Sequence, residues 1–118
     1  MFNNLNVVVG IAGGIAAYKS CGIVSFLKSQ GANVDVIMTK NACEFITPLT
    51  LETLSGNKVI VDMFDRPDHM DVKHISLAKK ADLFLVVPAT ANIIGKVANG
   101  IADDMLSTTI MATKAPVV

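Results

Sequence analysis

Short apolar runs alternate with stretches of helical period along the chain. Leu5-Asn6-Val7-Val8-Val9 reads as a first strand, Asn33 to Met38 as a second and Lys58 to Met63 as a third. The run from Asp82 toward Pro88 is too short for a membrane span and suits a buried parallel strand. Pro88 stops it, because proline cannot donate to a sheet ladder. Ala89, Thr90, Ala91 and Asn92 follow at once, and then a helical pattern. Between the strands, Ile15 to Gln30 reads as a helix with Ala16, Cys21, Val24, Phe26 and Leu27 toward one side, and Gly31 as its stop. Thr47 to Ser55 reads as a short helix, with Thr47 as N-cap, Pro48 at its first position and Gly56 beyond its end. A polar surface loop is expected over 64–72, and a helix opening at His74 and closing near Lys80. Ile93 to Asn99 and Ala102 to Lys114 read as two more helices. Ala115 to Val118 reads as the start of a fifth strand, so the chain is expected to be one domain, 1–118, shortened at its C-terminal end.

Strand and helix alternating in this way predict an α/β fold. It is a doubly wound parallel sheet in three layers, flavodoxin-like or Rossmann-like, with strand order 3-2-1-4-5. Ligands bind at the carboxyl edge of such sheets, and three loops fall there. Gly10-Ile11-Ala12-Gly13-Gly14 joins the first strand to the first helix, a placement that offers backbone N–H groups to a phosphate. The glycines at 10, 13 and 14 do not make the dinucleotide fingerprint, and no acidic residue ends the second strand. Gly13 to Ser20 approaches a P-loop, but Tyr18 stands where its second glycine belongs and would obstruct the nest, so ATP and GTP are excluded. A phosphate loop of another type remains, or a glycine loop serving close packing. Thr39 ends the second strand on the same edge, either as a ligand hydroxyl or as the cap of the turn that follows. Phe45 stacks on a ring or joins the core. Thr90 and Asn92 offer a hydroxyl and an amide, while Ala89 and Ala91 let a flat ligand approach, unless this is an ordinary βα turn.

Composition narrows the choice. Of 118 residues, 52% are hydrophobic and 17% charged, which suits a sheet covered on both faces. Formal net charge is zero, so neither nucleic acid nor an anionic membrane is an expected partner. The first residues carry no basic stretch, and a signal peptide is not expected. Cys21 and Cys43 do not have metal-ligand spacing, no metal is expected, and the pair reads as thiols of a reducing cytoplasm. His74, in the first turn of its helix, is disfavoured as a cation by the dipole and is available as a base or acceptor, or else is a capping or solvated side chain. Asp103 and Asp104 suit a helix's first turn and need no catalytic role.

Three segments in order resemble a known family, the homo-oligomeric flavin-containing cysteine decarboxylases. Gly13-Gly14-Ile15-Ala16-Ala17-Tyr18-Lys19 resembles their N-terminal loop, His74-Ile75-Ser76-Leu77 their active-site histidine segment, and Pro88-Ala89-Thr90-Ala91-Asn92 their Pro-Ala-Ser-Ala-Asn-Thr motif. Gly95-Lys96, Ala98, Gly100 and Ala102-Asp103-Asp104-Met105-Leu106 continue the match, which covers essentially the whole chain. The phosphopantothenoylcysteine decarboxylase branch of bacterial coenzyme A biosynthesis is most similar. The resemblance implies FMN, with Gly13, Gly14 and Ile15 at its phosphate, Thr39 and Phe45 nearby, and Thr90, Ala91 and Asn92 against its ring system. It implies His74 as catalytic base or as the group that positions the substrate carboxylate and thiol. It implies a homotrimer, or a dodecamer of trimers, with flavin sites completed by a neighbouring subunit. The implied reaction oxidises the cysteine moiety of 4′-phospho-N-pantothenoylcysteine, releases CO₂ to leave an enethiol, and returns the electrons to give 4′-phosphopantetheine.

Two departures stand inside the motif. Thr90 replaces its serine and keeps the hydroxyl, whereas Ile93 replaces its threonine and loses a polar group. The family's Pro-x-Met-Asn-x-x-Met-Trp segment would begin after Val118, and neither Cys21 nor Cys43 matches its reductive cysteine. A chain without that segment is expected to hold most of an FMN site yet fail to complete a turnover. Peptidyl-cysteine decarboxylases of lantibiotic maturation share the implied fold, flavin and histidine. A non-catalytic flavin-binding regulatory subunit and the flavin prenyltransferases are further alternatives.

Overall fold

A computed structural model describes residues 2–61 and 76–118. Asn6–Ile11 forms the central strand β1, with Asn33–Met38 (β2) parallel on one side. Ile60–Val61 (β3) lies beyond β2, and Leu83–Val86 (β4) lies on the other side of β1. The order β3-β2-β1-β4 is the expected one, with every pairing parallel. Residues 116–118 run along the outer edge of β4 as a single parallel bridge, Phe84 to Val117. The Phe84 N–H donates to the Pro116 carbonyl at 2.9 Å and the Val118 N–H to the Phe84 carbonyl at 2.8 Å. The fifth strand is thus represented by one rung.

Alternation along each strand decides what covers the sheet. Val7, Val9 and Ile11 point to the same face as Val34, Val36 and Met38. That face is covered by Ser20–Ser29 (α1) and Pro48–Ser55 (α2), through Val24, Leu27 and Leu51. Val8, Ala12, Ile37 and Phe84 point to the other. It is covered by the helix over 76–80 (α3), by Ile93 of Ala91–Ala98 (α4), and by Met105–Ala112 (α5). Each such buried valine, leucine or isoleucine contributes roughly 1.5–3 kcal/mol. Gly10 lets α5 come close: a Cβ there would collide with the Leu106 side chain and lie 3.4 Å from the Phe84 ring.

Several boundaries differ from the expected ones, each for a local reason. Residues 15–19 form a 3₁₀ segment, and the α-helix begins only at Ser20, whose hydroxyl donates to the Ala17 carbonyl. The buried face is Ala17, Ser20, Val24 and Leu27, at helical spacing. The expected Ala16 is exposed, and Phe26 packs edge-on against Phe2 at 6.4 Å instead of entering the core. β3 starts later than Lys58 because the Val59 N–H donates to Glu52 Oε1 at 3.3 Å rather than to the sheet. α4 starts at Ala91, ahead of Ile93, because Thr90 caps it. α5 is shorter than Ala102 to Lys114, because Asp104 closes a capping box with Ser107 and places Ala102 and Asp103 outside the helix. Thr47, Pro48 and Gly56 frame α2 as expected, with Gly56 at φ 76°. The expected surface loop, 64–72, and His74 lie outside the described residues.

Candidate functional site

Chain order reverses between β1 and β4, and the crevice opens there, at the carboxyl edge. Backbone hydrogen bonds tie together the loops that leave this edge. The Ala12 N–H donates to the Pro88 carbonyl at 3.2 Å, the Val87 N–H to Gly10 at 2.9 Å, and the Thr39 N–H to Ile11 at 3.0 Å. Between the loops lies a cleft of about 230 Å³, lined by Gly13, Thr39, Lys40, Asn41, Thr90, Asn92, Ile93, Lys96 and Asp104, with Ala12 at its base. Ligand pockets typically measure about 300–1,000 Å³, so the described residues form part of a site for anything larger than a small molecule.

The two glycines behave differently. A Cβ on Gly13 would lie 2.5 Å from Asn41 Cβ and 2.9 Å from its carbonyl carbon, so Gly13 lets the loops after β1 and β2 touch. A Cβ on Gly14 would meet nothing within 4 Å, and Gly14 is extended, at φ 175°. Neither packing nor backbone geometry requires a glycine there. Gly14 is also the N-cap of the 3₁₀ segment and gives it no side-chain acceptor, which leaves first-turn N–H groups for another partner. Ile15 is 82% exposed, away from the cleft wall.

Thr39 and Thr90 each do two things. Thr39 Oγ1 accepts from the Ala42 N–H at 3.1 Å, and Thr90 Oγ1 accepts from the Ile93 N–H at 3.3 Å. Both act as caps, and both keep an O–H to donate into the cleft. The side chains of Lys40, Asn41 and Asn92 line the cleft and make no hydrogen bond to the described residues. Ala91 is exposed at the start of α4, outside the lining. Phe45 is neither core nor lining: it is 49% exposed beyond the 3₁₀ turn Asn41–Glu44. Gly13, Thr39, Thr90 and Asn92 therefore meet at one cleft, and Gly14 adjoins Gly13 in its rim. Ile15, Phe45 and Ala91 do not line it, and His74 lies outside the described residues.

Two charged lining residues carry no site role in the sequence reading. The Lys96 ammonium bonds Asp103 Oδ1 at 2.9 Å and Asp104 Oδ2 at 3.1 Å. The bond to Asp103, helped by Asp104, raises the Lys96 pKa against the opposing effect of burial. Burial by itself would raise the Asp104 pKa, but Ser107 and Lys96 outweigh it and hold the carboxyl below its ordinary range. Lys96 was accessible to pattern reading, because it stands four residues after Asn92 and therefore on the same helical face. Asp104 was not, because a capping carboxylate and a cleft carboxylate look alike in sequence. Among the described residues no group of His, Cys, Asp and Glu is arranged to hold a metal ion.

Known proteins share this arrangement. The chain is 54% identical over 117 residues to the coenzyme A biosynthesis bifunctional protein CoaBC of Bacillus subtilis, covering 99% of this chain and 29% of that protein. It is 57% identical over 116 residues to the CoaBC of Borreliella burgdorferi, covering 98% and 30%. It thus spans under a third of the curated relatives it matches. Among solved structures, the FMN-dependent cysteine decarboxylase SpaF superposes with a TM-score of 0.85 at 27% identity, over 99% of this chain and 67% of that one. A PPC decarboxylase mutant complexed with pantothenoylaminoethenethiol superposes with a TM-score of 0.78 at 27% identity, over 98% and 65%. The family model described as Flavoprotein matches residues 1–118, from the glycine loop through Thr90 to the last rung of the sheet, and the chain belongs to that family.

Proposed function

We propose that this chain binds FMN in the cleft between β1 and β4. There it serves the decarboxylation of 4′-phospho-N-pantothenoylcysteine to 4′-phosphopantetheine, a cytoplasmic step of coenzyme A biosynthesis. The observation that carries this reading is the meeting of Gly13, Thr39, Thr90 and Asn92 at one cleft where the strand order reverses. The residues fit the cofactor. The space beside Gly14 and the uncapped first turn after it suit a phosphate, with the Thr39 hydroxyl and the Lys40 ammonium alongside. At the other end, Thr90 and Asn92 offer donors to the polar edge of a flavin ring, with Ala91 a small neighbour. FMN, when bound, supplies two-electron exchange with the substrate's cysteine moiety, and the protein supplies orientation and electrostatics. His74 is assigned the role of base, or of the group that positions the substrate's carboxylate and thiol.

The 118 residues are read as one flavoprotein domain, and the functional unit as a homotrimer, which can assemble further into a dodecamer. Ile15 (82% exposed) and Leu49 (69% exposed), with Phe45, are apolar side chains on the loops and helix starts of this edge, where a neighbouring subunit would cover them. A second reading, decarboxylation of a peptide's cysteine, is favoured by backbone shape, since SpaF superposes better than the PPC decarboxylase. Side chains discriminate substrates more directly than backbone does, and the 54% identity to CoaBC favours the first reading.

Titration with FMN and with riboflavin tests the phosphate end. Charge-assisted hydrogen bonds contribute about 1.5–3 kcal/mol, so FMN should bind roughly 10–100-fold more tightly. Equal affinities would refute the assignment of the Gly13–Gly14 loop.

A further inference from the structure

Lys96 stands one helical turn after Asn92 on α4, and both side chains line the cleft. The lysine side chain is 19% exposed and its ammonium is held by two carboxylates, Asp103 and Asp104. Asp104 Oδ1 is already taken by Ser107, through the N–H at 2.7 Å and the hydroxyl at 2.6 Å. The cap of α5 is therefore complete without the lysine. What Lys96 adds is charge: with it the cluster carries a net −1, and without it −2, on the wall shared with Asn92 and Thr90. A group bound at that wall and gaining electron density would feel the difference, because charges in a partly buried cleft interact several-fold more strongly than in water.

We propose that Lys96 is an electrostatic determinant of the flavin site, holding the Asp103–Asp104 charge in check so that reduced FMN is bound as well as oxidised FMN. The proposal rests on the reading that FMN occupies this cleft with its ring system toward Thr90 and Asn92. A purely structural clip between α4 and α5 would make a different prediction. Its loss would weaken both redox forms equally, whereas loss of the charge changes their ratio.

The test is the dissociation constant of oxidised and of dithionite-reduced FMN, measured anaerobically on the full chain and on Lys96→Gln, Lys96→Arg and Asp103→Asn. One unit charge acting over roughly 12 Å at an effective permittivity near 20 changes a binding ratio about tenfold. Lys96→Gln should raise the reduced-to-oxidised ratio of dissociation constants by about that factor, a two-electron potential lower by about 30 mV. Lys96→Arg should stay within about twofold of the parent on the same estimate. Asp103→Asn, at a 61% exposed side chain outside the cap, should move the ratio the opposite way and keeps the test open if Lys96→Gln fails to fold. An unchanged ratio in Lys96→Gln, or a shift of the same sign in Asp103→Asn, overturns the proposal. Failure of the parent chain to bind FMN in either state overturns the FMN reading itself, and is seen before any variant is made.

Discussion

Adjacent glycines in the first loop should respond in opposite ways to the same added methyl group. In Gly13→Ala the new Cβ would sit 2.5 Å from Asn41 Cβ and 2.9 Å from its carbonyl carbon. Neither is the end of a flexible side chain, so the loops after β1 and β2 must part. Overpacking of this kind costs about 1–3 kcal/mol. In Gly14→Ala the methyl group enters open space on an extended backbone. Alanine also has less unfolded-state freedom than glycine, so this variant should gain about 0.4–1 kcal/mol. Ligand binding should reverse the order of interest. If the space beside Gly14 admits a phosphate, the methyl group displaces it and forfeits a charge-assisted hydrogen bond, about 1.5–3 kcal/mol or roughly 10–100-fold in affinity. Urea unfolding of the apo chain gives stability, read from the midpoint at constant slope, and quenching of FMN fluorescence gives affinity. Gly14→Ala should be stable and bind weakly. A Gly14→Ala variant that is destabilised by more than 1 kcal/mol, or that binds FMN like the parent, refutes the account of this loop.

Two further outcomes follow from the charged and thiol groups. Asp104→Ala removes the cap of α5 and should cost about 1–2 kcal/mol in urea unfolding, whereas Asp104→Asn keeps a capping oxygen and should cost less. Because the folded Asp104 pKa is depressed, its stabilisation is complete above the unfolded-state value of about 3.9 and is lost as pH falls through the lower folded value. Parent and Asp104→Asn stability curves should therefore converge toward pH 3, and curves that stay parallel would contradict the ion pair. Burial raises the pKa of Cys21, and burial with Glu44 raises that of Cys43. Iodoacetamide should alkylate both slowly at pH 7 and faster above pH 9. Rapid labelling at pH 7 would count against the packing of α1 and of the 41–44 turn.

The sheet was legible because its strands are apolar on both faces, and α2 because Thr47, Pro48 and Gly56 each state a boundary in local chemistry. The first helix was harder. Its buried face includes Ser20, which satisfies its hydroxyl on the Ala17 carbonyl and so behaves as a core residue, while Phe26 pairs with Phe2 at the surface. Counting apolar residues sends the eye to Phe26 and past Ser20. The site was legible where loops leave strand ends, which is why Gly13, Thr39, Thr90 and Asn92 meet. Lys96 and Asp104 were hidden because their position depends on how α4 packs beside α5, a tertiary fact. Thr39 and Thr90 show that the two readings of a loop hydroxyl, cap and ligand, are compatible, since the oxygen accepts while the proton remains to donate.

The central claim, a flavin held at the β1/β4 edge, is tested most directly by the visible absorption spectrum of the chain after incubation with FMN and gel filtration. The account predicts a flavin spectrum that co-elutes with protein, in a peak of trimer size. Elution of all the FMN in the small-molecule volume, from a folded chain loaded at saturating cofactor, would contradict it.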